Sequence, residues 1–114
     1  MNMNWDEYRK NLLKNVGLLG DEIPETLKGY QTIATSANRH GVLDEKTQEL
    51  ISLAVAVTTR CDGCISIHSY AALKAGASRE EIAAALAVAV SLNAGAAVVY
   101  SSHVMEAISQ SKIT

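Results

Sequence analysis

Asp44-Glu45-Lys46-Thr47-Gln48-Glu49-Leu50-Ile51-Ser52-Leu53-Ala54-Val55-Ala56-Val57-Thr58-Thr59 is the stretch whose reading decides the fold. Asp44 is a good N-cap, since its carboxylate can accept one of the backbone N–H groups that a helix start leaves unpaired. Leu50, Ile51, Leu53, Ala54, Val55, Ala56 and Val57 then make the helix from Glu45 to about Thr59 apolar almost all round. Such a helix has no wet face and has to be covered by neighbours, so it is central. Glu49 is the exception. It shares a face with Ser52, Leu53 and Ala56, whose other members carry no charge.

The neighbours are also helical. Downstream, Asp62 to Ala75 reads as a helix with Cys61 at its N-terminal edge and Gly76 closing it. Ser78-Arg79-Glu80-Glu81 matches a capping box that opens the next, running to about Ser91. Asn93-Ala94-Gly95 predicts a break, followed by a last helix from Ala96 to about Ser109. Upstream, Trp5 to Val16 forms a helix ended by Gly17 and Gly20, with Trp5, Tyr8, Leu12 and Leu13 near one face. Pro24 occupies a first helical position, Leu27, Tyr30, Ile33, Ala34 and Ala37 follow at helical spacing, and Gly41 after His40 is a left-handed cap. No stretch alternates as a strand does. The expectation is an all-α protein, a compact helical bundle of about six helices in a single domain spanning residues 1–114.

Composition agrees. Among 114 residues, hydrophobic residues make up 48% but aromatics only 4%, with no Phe, so the apolar content is mostly Ala, Val, Leu and Ile suited to close helix packing. The formal charge of −2 leaves no basic face for nucleic acid. The first residues have neither a basic nor an apolar leader region, which points to a cytoplasmic protein. The uncharged run Ile82 to Tyr100 is nearly long enough to span a bilayer. Its alanines, its Ser91, Asn93 and Gly95, and its soluble-type cap favour helices buried in a homo-oligomer instead.

Reactive chemistry is concentrated in Cys61-Asp62-Gly63-Cys64-Ile65-Ser66-Ile67-His68, which holds both cysteines of the chain. Two cysteines three apart at a helix start can reach disulfide range. The N-terminal N–H groups and the helix dipole favour a thiolate there. His68 lies one turn beyond Cys64 on the same face and can act as its base, with Glu49 as the carboxylate that holds the tautomer. Nearness to His68 favours Cys64 as the attacking thiol, and exposure at the helix mouth favours Cys61 as the one meeting an external reductant. Other readings stand beside this one. Zinc would take Cys61, Cys64 and His68 with His103 as a fourth ligand. The cysteines would otherwise be small buried hydrophobes, or sensors in a non-catalytic oligomeric module. Glu49 and His68 alone would serve a lyase or isomerase acting on a small carbon substrate.

From Pro24 to about Ile108 the chain resembles the carboxymuconolactone decarboxylase family, in particular its alkylhydroperoxidase D-like branch. The likeness rests on Leu43 to Ile51, on Cys61 to His68, on Ala75-Gly76-Ala77 and on Glu80-Glu81-Ile82. Glu49 precedes Cys61 by twelve positions, as in the family's Glu…Cys-x-x-Cys-x-x-x-His pattern. The resemblance implies an all-helical protomer assembling into a homotrimer or homohexamer. It implies a thiol-dependent peroxidase or disulfide reductase with Glu49, Cys61, Cys64 and His68 as catalytic residues. Its partners would be a hydroperoxide and a thiol reductant, a lipoyl-type dithiol or a peroxiredoxin-like protein. No cofactor, metal, nucleic acid or membrane is implied. One position departs: the best-studied type has a second histidine just before its second cysteine, where this chain has Gly63. The cysteine pair argues against carboxymuconolactone decarboxylation itself. Tyr100 and His103 on the last helix are candidates to line a pocket within an oligomer.

Overall fold

The computed structural model describes residues 3–113, which form helices α1 (Trp5–Glu22), α2 (Pro24–Ala34), α3 (Ser36–His40), α4 (Glu45–Thr59), α5 (Asp62–Lys74) and α6 (Arg79–Ser109), with no strand among the described residues. α4 is central as expected, packed between α5 and α6, while α1 lies on α5 and α2 on α1. The core is built from small residues: Ala56, Ala72, Ala77 and Ala89 are buried together with Leu53. Alanine lets the axes of α4, α5 and α6 approach closely, so little apolar volume is needed to exclude water between them.

Local signals explain the element boundaries. The Asp44 carboxylate accepts from Thr47 N–H at 2.7 Å. Ser78 and Glu81 form both halves of the capping box, at 3.0 and 2.9 Å. Gly41 (φ 66°) and Gly76 (φ 91°) adopt the left-handed conformation that ends a helix. Arg60 does the same at the end of α4 with φ 56°, a region that a residue with a Cβ seldom enters. That sharp turn aims the chain into α5 and places Cys61 at the α5 N-cap.

Three expectations about boundaries are corrected. Gly17 and Gly20 do not end α1, which continues to Glu22. Interior glycine costs a helix only about 1 kcal/mol, and Gly20 faces Leu27 of α2 closely enough that a Cβ would stand 3.5 Å from its Cγ. The helix from Pro24 is interrupted at Thr35, whose hydroxyl turns back to Gln31 O at 2.9 Å while Ser36 Oγ donates to Ile33 O at 2.7 Å. These side chains offer the backbone alternative partners and divide the segment into α2 and α3. The Asn93-Ala94-Gly95 break is absent, because α6 runs unbroken for 31 residues. Asn93 stays helical by donating to Ala89 O at 2.7 Å and to Thr58 Oγ1 of α4 at 2.9 Å. It anchors α6 where sequence pattern pointed to a turn.

An ion pair joins the starts of α4 and α6: Lys46 Nζ lies 2.8 Å from Glu81 Oε2. That contact, followed by the Ser78 N–H, holds the Glu81 carboxyl below its usual range, and Glu81 in turn raises Lys46. Asp44 is lowered by its bonds to Thr47. Carboxyls depressed in the folded state stabilise it above their unfolded values, and that contribution is lost as pH falls through the folded ones. The Lys46 contribution runs the other way, present below the lysine range and lost as pH rises through it. Thermal melts should therefore weaken below about pH 4, and Glu81→Gln should flatten that acid limb. An acid limb of unchanged slope in the variant would contradict the assignment.

Beyond Ala94 every residue of α6 is exposed. The radius of gyration is 19.0 Å, against roughly 13 Å for a compact chain of this length. The accessible surface is 8977 Å², against roughly 6,000 Å² for a folded monomer of this mass. The second half of α6 projects from the bundle and carries Val98, Val99, Tyr100, Val104, Met105 and Ile108 exposed.

Candidate active site

The site is assembled where α4 crosses α5. Glu49 lies in the second turn of α4 and His68 in the second turn of α5, and His68 Nδ1 is 2.7 Å from Glu49 Oε2. A carboxylate can only accept in this contact, which assigns the donated proton to Nδ1; in the neutral form of the ring Nε2 then keeps the lone pair. The side chains are 34% and 18% exposed respectively. Glu49 is therefore no solvated helix-start carboxylate. Its carboxylate is turned onto the imidazole of His68 on the neighbouring helix.

Cys61 and Cys64 are joined by a disulfide, with Cα atoms 5.2 Å apart. The helix start makes the pairing possible, because Cys61 is extended as N-cap and Cys64 is the third residue of the first turn. Cys61 Sγ also accepts the Cys64 N–H at 3.1 Å, doing with sulfur what a serine oxygen does at other helix starts. The turn is held from beneath by Ser66, 1% exposed, whose hydroxyl donates to Gly63 O at 2.8 Å.

Two clefts open on either side of the Glu49–His68 pair. One, of about 290 Å³, is lined by Ile51, Ser52, Val55, Ala56, Thr59, Cys64 and His68. It brings Cys64 and His68 to a common, largely apolar space. The other, of about 230 Å³, lies toward α2 and α3, and in it Asn38, Gln48 and Glu49 join His68. All four residues singled out from the sequence thus belong to one neighbourhood, Glu49 and His68 by a direct bond and the cysteines by their disulfide.

His103 stands elsewhere, on the projecting half of α6, edge-on to Tyr100 with ring centroids 4.8 Å apart. Among the described residues no group of three or more His, Cys, Asp or Glu side chains is arranged to hold a metal ion.

A model of the carboxymuconolactone decarboxylase family matches residues 24–107. The chain belongs to that family. An uncharacterized protein of Haemophilus influenzae is 52% identical over 109 residues, covering 96% of each chain. Another, from Cupriavidus necator, is 33% identical over 89 residues, or 78% of this chain and 79% of its own length. Among solved structures, an apo carboxymuconolactone decarboxylase family protein from Legionella pneumophila has a TM-score of 0.73 at 34% identity, covering 93% of this chain and 95% of its own. A protein from Methanobacterium thermoautotrophicum gives 0.71 at 34% identity, covering 78% and 97%.

Helix α1 precedes the segment that the family model matches, and it touches the Cys61–Cys64 turn directly. A Cβ on Gly63 would stand 2.9 Å from Leu12 Cδ2, closer than carbon atoms approach, so any side chain at 63 has to displace Leu12. Leu12 Cδ2 is the tip of a flexible side chain and can shift to make room, so Gly63 marks a close approach of α1 to the cysteine turn rather than a steric bar. α1 is fastened there by Arg9, whose guanidinium lies 3.9 Å from the centre of the Tyr70 ring. Sequence pattern placed Leu12 on an apolar face of α1 but held no signal for what that face covers.

Proposed function

We infer that the protein is a thiol-dependent peroxidase or disulfide reductase of the alkylhydroperoxidase D-like kind, working through the Cys61–Cys64 pair. The observation that carries this reading is the cleft in which Cys64 opens beside His68, with His68 held by Glu49 at 2.7 Å. In the reduced protein His68 Nε2 takes the Cys64 proton, and the Glu49 carboxylate balances the imidazolium. The Cys64 thiolate attacks the terminal oxygen of a hydroperoxide. An S–O bond forms, the O–O bond breaks, and the imidazolium returns its proton to the departing alkoxide. Cys61 then displaces water from the sulfenic acid and closes the disulfide. An external dithiol reopens it by exchange and is itself oxidised to a disulfide.

Steady-state consumption of an alkyl hydroperoxide with a dihydrolipoyl-type dithiol tests the reading. Continued turnover beyond one equivalent supports it, and a single equivalent consumed would instead mark a sensor. A second reading keeps Glu49 and His68 as acid–base groups acting on a small carbon substrate in the cleft that they line without the cysteines. That activity would survive Cys61→Ser, which the redox cycle does not. The cycle requires a reducing compartment, in accord with a cytoplasmic protein.

The projecting half of α6 belongs to this proposal as an interface between copies. α6 is long and apolar enough to cross a membrane, with mean hydropathy 2.1 over its best window and 6% of that window buried. Yet Asn93 pins it to α4, and Ser101, Ser102 and His103 interrupt the apolar surface. The surface excess over a compact monomer is about 3,000 Å², well above the ~800 Å² per partner of a standard interface. An area of that size accords with a large obligate interface, as in a trimer or hexamer. Light scattering at micromolar concentration should give a homo-oligomer, and a monomeric mass would contradict this.

A further inference from the structure

Ile51, Ser52 and His68 line both clefts, and Ser52 is the one neutral polar side chain among them. In the Cys64 cleft the other polar groups are Thr59, Cys64 and His68. Two of them have a committed part during peroxide reduction. Cys64 is the nucleophile, and His68, having taken the Cys64 proton, is a donor. Thr59 gives its proton to Val55 O at 3.0 Å and keeps acceptor lone pairs too, but it lies about two turns beyond Ser52 on α4 and is absent from the cleft that Glu49 and His68 line together. Ile51, Val55 and Ala56 complete the wall and carry no side-chain acceptor. A hydroperoxide brings in one O–H of its own, and burying that group without an acceptor is unfavourable.

Ser52 meets this need. Its hydroxyl proton is already given to Gln48 O at 2.9 Å, so the oxygen presents lone pairs only. It lies one turn after Glu49, on the face of α4 that meets His68. We propose that Ser52 is a catalytic residue of the peroxide step, accepting the hydrogen bond from the terminal O–H of the substrate. This holds the terminal oxygen toward Cys64 and leaves the inner oxygen to His68. The assignment rests on the peroxidase reading. The step balances as hydroperoxide, Cys64 thiolate and imidazolium giving alcohol, Cys64 sulfenic acid and neutral imidazole. The S–O bond forms as the O–O bond breaks, and sulfur supplies the electron pair.

The test compares pre-reduced wild type, Ser52→Ala and Ser52→Thr in stopped-flow reaction with an alkyl hydroperoxide, and in parallel with iodoacetamide, which carries no O–H. Ser52→Ala should slow disulfide formation about tenfold, the scale of one lost hydrogen bond in the transition state. Its alkylation by iodoacetamide and the reduction of its disulfide by dithiol should stay at wild-type rates. Ser52→Thr, which keeps the oxygen, should stay close to wild type with peroxide. Wild-type peroxide reactivity in Ser52→Ala overturns the assignment alone. A parallel loss with peroxide and iodoacetamide also overturns it, by showing that Ser52 only supports the Cys64–His68 geometry. A reduced wild type inert to peroxide overturns the peroxidase reading, and the role of Ser52 with it.

Discussion

Cys64→Ser is expected to abolish peroxide turnover. The two cysteines have different surroundings, and this makes the variants informative. Cys64 opens into the cleft shared with His68, whereas Cys61 sits at the helix mouth with its sulfur accepting the Cys64 N–H. A hydroxyl at 64 is far too weak a nucleophile at neutral pH to replace the thiolate. Cys61→Ser should also lose turnover, but at a later point. Its Cys64 still reacts with one equivalent of peroxide and then stops at the sulfenic acid, having no second thiol with which to condense. Trapping with a sulfenate-specific reagent and mass spectrometry distinguishes the variants: an adduct on Cys64 in Cys61→Ser, and none in Cys64→Ser. Turnover surviving either replacement would remove the dithiol from the mechanism and move the account toward acid–base chemistry at Glu49 and His68.

Glu49→Gln should slow disulfide formation by about 10²-fold, the scale of a lost acid–base contribution. Glutamine still offers an oxygen to His68 Nδ1–H, so the ring keeps its orientation. What disappears is the negative charge that stabilises the imidazolium formed when the Cys64 proton is taken. The loss should appear in the oxidative half-reaction, measured by stopped flow on pre-reduced protein, and the thermal stability should change little. His68→Ala should be at least as slow, and the double variant no slower than His68→Ala, because the two residues act as one unit. Multiplicative losses in the double variant would show that Glu49 acts by some route other than His68.

How much of this was legible in sequence depended on whether a feature is local. The start of α4 at Asp44, the capping box at Ser78 and Glu81, and the left-handed glycines 41 and 76 are decided within a few residues, so pattern sufficed for them. So did the pairing of Glu49 with His68, because each is placed by the phase of its own helix on a face with few other polar groups. Asn93 shows the opposite case. As a turn signal it argued for a break, but its amide found Thr58 thirty-five positions earlier in the chain, and that contact keeps α6 continuous. Thr35 and Ser36 erred in the other direction, since apolar spacing concealed a short-range competition for backbone carbonyls. Leu12 over Gly63 and the shared position of Ser52 between two clefts are relations among helices distant in sequence. No periodicity reports them.

Everything proposed for the site depends on Cys61 and Cys64 forming a dithiol that cycles with peroxide. The most direct measurement is a thiol count on reduced native protein, before and after one equivalent of alkyl hydroperoxide and again after a dihydrolipoyl-type dithiol is added and removed. Two thiols per chain are expected, then none, then two again, with peroxide consumed each time the dithiol is restored. Two thiols that stay at two after peroxide would contradict that cycle.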